Sequence, residues 1–169
     1  MDWTKSHNGI MLCSYDQTIS LMPEVIPIID DLIPFLEYGI NDYAIDVKVH
    51  MLMPGEYPCI PNWHCDFVPR DENLNKEPSK ITGDKMYLWV SGPPYTEFKR
   101  PPTKIHTGNY TWVEFDQTDL HRGVISEIHT WRCFIRLIPK WFIHSTTINV
   151  GTIRRHSQVY IEDPNKFRW

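Results

Sequence analysis

The sequence has no long apolar run and no leader-like N-terminus. No stretch of the 169 residues approaches the roughly eighteen consecutive apolar residues that a membrane-spanning helix requires. The N-terminus also lacks the basic segment followed by an apolar segment that is typical of a secretory signal. We therefore expect a soluble, cytoplasmic protein with no membrane partner.

Charge of one sign is not concentrated in any part of the chain. The net charge is -4, and it is spread without long blocks of like charge. The broad basic footprint of a strong duplex-binding protein is therefore missing. We expect a small-molecule substrate in preference to a protein or a nucleic acid. The sequence leaves the oligomeric state and the identity of the substrate open.

Cysteine is scarce, and its spacing shows no pairs. A chain of this length can be stable without crosslinks, so we expect free thiols. Two of the cysteines could join His64 as zinc ligands, but the tight paired spacing of zinc knuckles is missing. The four cysteines are Cys13, Cys59, Cys65 and Cys133.

The length suits one domain that covers residues 1–169. Apolar residues recur through 23–38 at a spacing that predicts one or two N-terminal helices, which Pro27 and Pro34 shorten or kink. The last part of the chain, 140–169, is expected to be a C-terminal extension.

Short strands are predicted through the rest of the chain. Residues 43–53 alternate between apolar and polar side chains, which is the clearest strand pattern, and weaker strand signals lie at 10–14 and 159–161. Residues 70–84 are charged and lack apolar periodicity, so they are predicted to form a mobile loop and a candidate lid. Many short strands separated by turn signals indicate a mainly β sandwich, jelly roll or barrel.

His64 and Asp66 form a His-x-Asp pattern after a proline-rich turn. On a strand, residues two positions apart project from the same face. An imidazole and a carboxylate are a mixed N/O donor set, and a second histidine would complete one face of an octahedron suited to ferrous iron. Three positions would stay open, which is typical of a catalytic site. Because His-x-Asp alone also occurs by chance, the interpretation depends on a second histidine.

His121 is the candidate for that second histidine. It lies between two predicted strands and is followed by Arg122 and Gly123. The next strand carries Arg132 and Arg136 on one face. An arginine that points into a barrel needs an anionic partner.

In this order, the His-x-Asp pattern, the second histidine and the following arginine resemble the Fe(II)/2-oxoglutarate-dependent dioxygenase superfamily. The resemblance covers roughly residues 43–139, the expected core. It implies a double-stranded β-helix, a jelly-roll or cupin-like barrel, with flanking N-terminal helices. It also implies that His64, Asp66 and His121 are the metal ligands and catalytic residues that hold Fe(II).

The same resemblance implies the activity and the cosubstrate site. The expected enzyme is an oxygenase that hydroxylates a C–H bond and releases succinate and CO2. Arginine would hold the far carboxylate of 2-oxoglutarate in a bidentate fork, which lysine cannot form. Arg132 is the first choice because of its distance from His121, and Arg136 is the alternative or a second contact.

Other interpretations stay open. The chain could be a cupin-like metalloenzyme that does not use 2-oxoglutarate, or a non-catalytic jelly-roll protein with a structural or interaction role. His121 could be a turn histidine, and the two arginines could form structural ion pairs with Glu114 or Asp116. Packing is the favoured role for Tyr87 and Trp89. No site role is assigned to the remaining core and C-terminal histidines, which are His50, His106, His129, His144 and His156.

Overall fold

A computed structural model describes residues 2–5, 9–108, 110–143, 151–153 and 159–161. These residues form two short α-helices, several turns of 3-10 helix and a set of β-strands. No helix among them is long and apolar enough to cross a membrane. The helices are α1 (Tyr15–Leu21) and α2 (Ile26–Asp30). The strands are β1 (Gly9–Cys13), β2 (Tyr43–Leu52), β3 (Met86–Val90), β4 (Thr96–Arg100), β5 (Thr103–His106), β6 (Trp112–Phe115), β7 (His121–Gly123), β8 (Thr130–Pro139) and β9 (Thr152–Ile153).

The strands form two antiparallel sheets that pack against each other. The larger sheet has the order β6-β3-β8-β2-β1-β9, and the smaller has the order β5-β4-β7. At the centre of the larger sheet, β2 and β8 pair along their whole length, from Tyr43 opposite Pro139 to Leu52 opposite Thr130. This arrangement is a jelly-roll, cupin-like barrel with short N-terminal helices, as the sequence predicts.

The outer face of the larger sheet is covered by the N-terminal helical segment. Ile45, Val47 and Val49 of β2 are buried there in a cluster with Val25 and Ile29. Burial of each such side chain contributes about 2 kcal/mol. Tyr87 and Trp89 belong to the same cluster, and the Tyr87 hydroxyl accepts a hydrogen bond from the Glu37 backbone N–H at 3.2 Å. The predicted packing role of Tyr87 and Trp89 is confirmed.

The inner face of the larger sheet is apolar at one end and charged along the rest. The apolar end packs Ala44 and Leu88 against Phe98 of the smaller sheet. The other inward side chains of β2 are Asp46, Lys48 and His50, and those of β8 are Arg132, Phe134 and Arg136. The cross-strand register pairs Asp46 with Arg136 and His50 with Arg132. Cross-strand partners share a face, so two charged layers lie inside the barrel.

The N-terminal helical segment is more broken than the spacing of 23–38 predicts. A 3-10 turn at Pro23–Val25, the helix α2 and a 3-10 turn at Ile33–Phe35 replace a longer helix. Each segment has a proline at its first or second position. Proline lacks an N–H and is tolerated only in the first turn, so every proline begins a new segment.

Three further elements differ from the prediction. Helix α1 was not expected, although Ser14 and Gln17 form the capping box that begins it. His64 makes an isolated bridge, and the residues after it are not a strand. Of the predicted edge strand at 159–161, only Tyr160 forms a bridge, to Tyr57.

Candidate metal centre

Backbone pairing brings His64 and His121 together although 56 residues separate them in sequence. The His64 N–H donates to the His121 carbonyl at 3.0 Å, and the His121 N–H donates to the His64 carbonyl at 2.9 Å. Their ring centroids are 4.4 Å apart. Gly123 permits the close approach of the chain at Cys59, because a Cβ at position 123 would lie 2.7 Å from the Cys59 carbonyl oxygen. His121, the predicted second histidine, therefore lies beside His64.

Each histidine is oriented by its own Nδ1 atom. The His64 Nδ1 lies 2.8 Å from the Asn62 carbonyl oxygen, and the His121 Nδ1 lies 3.0 Å from the Asp119 carbonyl oxygen. A carbonyl oxygen only accepts, so both Nδ1 atoms carry the proton. The two Nε2 atoms are then left with lone pairs, which is the tautomer that a metal ligand needs.

Asp66 lies next to both Nε2 atoms. One carboxylate oxygen is 3.4 Å from the His121 Nε2, and the other is 3.8 Å from the His64 Nε2. The three ligand atoms all lie within 4.8 Å of one another. Two ligands at right angles, each about 2.1 Å from an ion, would be about 3 Å apart. The donor set therefore fits one octahedral divalent ion after a small contraction of the side chains.

Arg136 forms an ion pair with the Asp66 carboxylate. Its guanidinium donates to an Asp66 oxygen and, at 2.8 Å, to an Asp46 oxygen. Its central carbon lies 5.2 Å from the Phe67 ring centroid and 5.6 Å from that of Phe134. Burial alone would raise the pKa of Asp66, but the Arg136 guanidinium outweighs burial and holds the pKa below its ordinary value. Asp66 is therefore ionised, as a ligand must be.

Arg132 has a different environment although it shares a strand face with Arg136. It is the largest fully buried side chain of the described residues, at 1% exposure. Its guanidinium donates to the Thr96 hydroxyl at 3.4 Å, and no acidic side chain within the described ranges pairs with it. Burial lowers the pKa of Arg132 to about 10. A buried cation without a counter-ion is unfavourable.

The alternative in which Arg132 and Arg136 form ion pairs with Glu114 or Asp116 is wrong. Both acids lie near the Lys85 ammonium instead, at 3.9 and 3.2 Å. Arg136 does form ion pairs, but its partners are Asp46 and Asp66. The sequence missed Asp46 because an inward-facing acid on β2 looks like a polar residue on the solvent face of a strand.

A cavity of about 250 Å³ lies between the sheets beside the proposed metal ligands and Arg136. His64, Asp66 and His121 line it together with Arg136, and so do Lys48, Cys59, Thr96 and Tyr160. Across the described part of the chain, the three proposed ligands are the one cluster of His, Cys, Asp or Glu side chains with metal-binding geometry. The zinc alternative with Cys59 and Cys65 has no such support, and all four cysteines are free.

The remaining histidines lie in three kinds of place. His129 is exposed, and His144, His156 and the side chain of His106 lie outside the described part of the chain. His50 is 4% exposed on the inner face of β2, and neither ring nitrogen has a hydrogen-bond partner. Sequence reasoning missed it. The available signal was the strand alternation, which puts His50 on the same face as Asp46 and Lys48.

The fold and the site define a jelly-roll, cupin-like protein with a candidate two-histidine, one-aspartate metal centre. No protein-family model matches the sequence, and no curated protein matches it. The solved structure of vicilin from Corylus avellana (hazelnut) is similar to it, with a TM-score of 0.38 and 9% sequence identity. The match covers 93% of this chain and 33% of the vicilin chain. So loose a superposition adds nothing to the fold assignment, which rests on the two sheets.

Proposed function

We propose that this protein is an Fe(II)- and 2-oxoglutarate-dependent oxygenase that hydroxylates a small molecule. The observation that carries the proposal is the buried Arg132 without a counter-ion, on the same inner face as a metal-binding donor set. A metal centre alone would be compatible with many cupin-like proteins. The metal centre together with a sequestered guanidinium favours a cosubstrate that chelates the ion at one end and carries a carboxylate at the other.

The spacing between the two groups suits such a cosubstrate. His121 lies opposite Phe98 in the β4–β7 pairing, and Thr96, which contacts Arg132, is two residues along the same strand face. Two residues along a strand correspond to about 6.6 Å. A five-carbon dicarboxylic acid has a comparable length.

The charges on the inner faces of the sheets also favour a dianion. The inner faces carry three cations, Lys48, Arg132 and Arg136, against two carboxylates, Asp46 and Asp66. A divalent ion would add to this positive excess, and bringing charge of one sign together in a low-dielectric interior is unfavourable. A dicarboxylate would reduce the excess without a change in the protein.

The chain's own residues would position the ion and the cosubstrate, neutralise their charges and shield them from water. His64, Asp66 and His121 would hold the ion, and bound Fe(II) would supply oxygen activation coupled to decarboxylation of 2-oxoglutarate. Arg136 would keep Asp66 ionised and fix its orientation, so that one carboxylate oxygen faces the ion. Arg132 would fork the far carboxylate. Phe115 and Phe134 contribute apolar walls that limit water in the cavity.

The test is binding followed by turnover. Calorimetric titration with Mn(II), a redox-inert stand-in, should show one site per chain, and 2-oxoglutarate should bind only after the ion. With Fe(II) and oxygen, slow release of succinate is expected even without the substrate. His64→Ala and His121→Ala should abolish metal binding, whereas the control His129→Ala, at an exposed histidine, should not.

Two outcomes would overturn the proposal. A wild-type protein that binds neither Mn(II) nor 2-oxoglutarate would favour a non-catalytic jelly-roll protein. A protein that binds the ion but not 2-oxoglutarate, with Arg132→Met unchanged in its metal affinity, would favour a cupin-like metalloenzyme without that cosubstrate. Arg122→Met is the matched control for loss of an arginine, because Arg122 pairs with Glu97 at 2.6 Å outside the metal-binding cluster.

A further inference from the structure

His50 and Arg132 form a buried polar pair that the metal centre does not use. They are direct cross-strand partners between β2 and β8, so their Cβ atoms are about 5 Å apart on one face. His50 is 4% exposed and Arg132 is 1% exposed. Both ring nitrogens of His50 and the Nε of Arg132 lack a hydrogen-bond partner. Several unsatisfied polar atoms in one buried place are rare in folded proteins.

The pair adjoins the cavity through two other residues. Thr96 lines the cavity and accepts from Arg132 at 3.4 Å, a distance at which a hydrogen bond is weak. Lys48, two residues before His50 on the same face, also lines the cavity. A carboxylate that replaced the weak Thr96 contact would therefore meet Arg132, with His50 as the cross-strand neighbour of that arginine.

The chemistry of His50 suits a neutral hydrogen-bond donor. Burial and the cations Arg132 and Lys48 lower the pKa of His50 to about 2. The ring is therefore uncharged and keeps one N–H. One more cation beside Arg132 would be unfavourable before a ligand arrives, whereas a neutral donor adds a bond to a carboxylate without repelling the arginine.

We propose that His50 is a specificity-determining residue that donates a hydrogen bond to the far carboxylate of 2-oxoglutarate beside the Arg132 fork. This inference rests on the proposed function. It assigns the preference for a dicarboxylic 2-oxo acid to the joint action of His50 and Arg132, with the Thr96 hydroxyl at the edge of the same subsite.

The test compares two ligands that differ only at the far end. 2-Oxopentanoate keeps the 1-carboxylate and keto oxygen of 2-oxoglutarate but has no far carboxylate. Affinities for both are measured by calorimetry on Mn(II)-loaded wild type and on His50→Leu, His50→Gln and Arg132→Met. The measured quantity is the ratio of the two dissociation constants, because a general loss of structure would weaken both ligands equally.

In wild type, 2-oxoglutarate should bind much more tightly than 2-oxopentanoate. His50→Leu should reduce this preference about tenfold, as expected for loss of one hydrogen bond to a charged group. His50→Gln, which keeps an N–H donor, should restore most of it, and Arg132→Met should remove the preference. Mn(II) affinity should change less than about twofold in the His50 variants.

A second measurement decides the case in which His50→Leu does not fold. In wild type loaded with diamagnetic Zn(II) and labelled with ¹⁵N-histidine, the His50 signals should shift with 2-oxoglutarate and not with 2-oxopentanoate. The His50 inference is wrong, and the proposed function stands, if His50→Leu keeps the wild-type preference for 2-oxoglutarate while Arg132→Met loses it. The same conclusion follows if the His50 signals do not shift with 2-oxoglutarate. If wild type binds neither 2-oxo acid, both are wrong.

Discussion

Replacing Arg132 by methionine should make the ligand-free protein more stable. Burial lowers the pKa of Arg132 from 12.5 to about 10, and one pKa unit corresponds to about 1.4 kcal/mol. The buried charge therefore destabilises the fold by about 3 kcal/mol. The substitution removes a weak hydrogen bond to Thr96 at 3.4 Å and a cation–π contact with Phe134 at 5.7 Å, together about 1 kcal/mol. The net expectation is a gain of about 2 kcal/mol.

Arg136→Met is the matched comparison, because Arg136 lies on the same strand face four residues away. Its guanidinium is ion-paired with both Asp46 and Asp66, and Asp46 is 2% exposed. Removing one partner of a buried pair leaves an uncompensated charge, which destabilises by about 3–5 kcal/mol. Two arginine-to-methionine changes on one face should thus have opposite effects.

Urea denaturation at pH 7, monitored by tryptophan fluorescence, measures the stability change of both variants. The midpoint should rise for Arg132→Met and fall for Arg136→Met, with similar slopes. With Mn(II) and 2-oxoglutarate at about 100 times its dissociation constant, wild type should gain about 2.7 kcal/mol from the cosubstrate. Arg132→Met should gain little of this. A destabilisation of Arg132→Met comparable to that of Arg136→Met would show that Arg132 is a structural residue and would refute the reasoning.

Three further outcomes are expected. The pKa of Asp66 is lower in the folded state, so stabilisation by Arg136 is complete above the ordinary pKa near 4 and is lost as the pH falls through the depressed value. The stability difference between wild type and Arg136→Met, measured in urea at several pH values, should therefore shrink as the pH falls below about 4. Ser14→Ala removes the capping box of α1 and should destabilise by about 1 kcal/mol in urea, with unchanged Mn(II) affinity; an unchanged midpoint would contradict the capping role. Tyr87→Phe loses the bond from the Glu37 N–H and should destabilise by about 1 kcal/mol without affecting 2-oxoglutarate binding; a large loss of cosubstrate affinity would place Tyr87 in the pocket.

The fold class could be predicted because strand alternation is a local signal. The pattern of 43–53 predicts β2 within one residue. The alternation also put Arg132, Phe134 and Arg136 on one face. Alternation alone could not show that both faces of β2 are buried in this barrel. For that reason Asp46 and His50 were not recognised as interior residues.

The juxtaposition of His64, Asp66 and His121 could be predicted only as a hypothesis, because it depends on long-range strand pairing. The predicted strand through Asp66 was wrong. Phe67 has a φ of +52°, and the chain leaves the sheet directly after His64. This irregular segment and the contact with Arg136 place Asp66 beside the histidines. Sequence periodicity predicts neither of them.

The choice between Arg132 and Arg136 also depends on tertiary contacts. Both share a face, a residue type and a strand, so spacing cannot separate them. The difference is that Asp46 faces Arg136 whereas His50 faces Arg132 across the β2–β8 ladder. The acid partner makes Arg136 a support for Asp66, and the absence of an acid partner is the reason that Arg132 is the proposed ligand-binding arginine.

The most direct test of the proposed metal and cosubstrate site is a crystal structure of the protein grown with Mn(II) and 2-oxoglutarate. We predict one ion bound by the Nε2 atoms of His64 and His121 and by one Asp66 oxygen, with the far carboxylate of the cosubstrate against Arg132. An Asp66 that stays paired with Arg136 alone, with no ion beside the two histidines, would contradict the account.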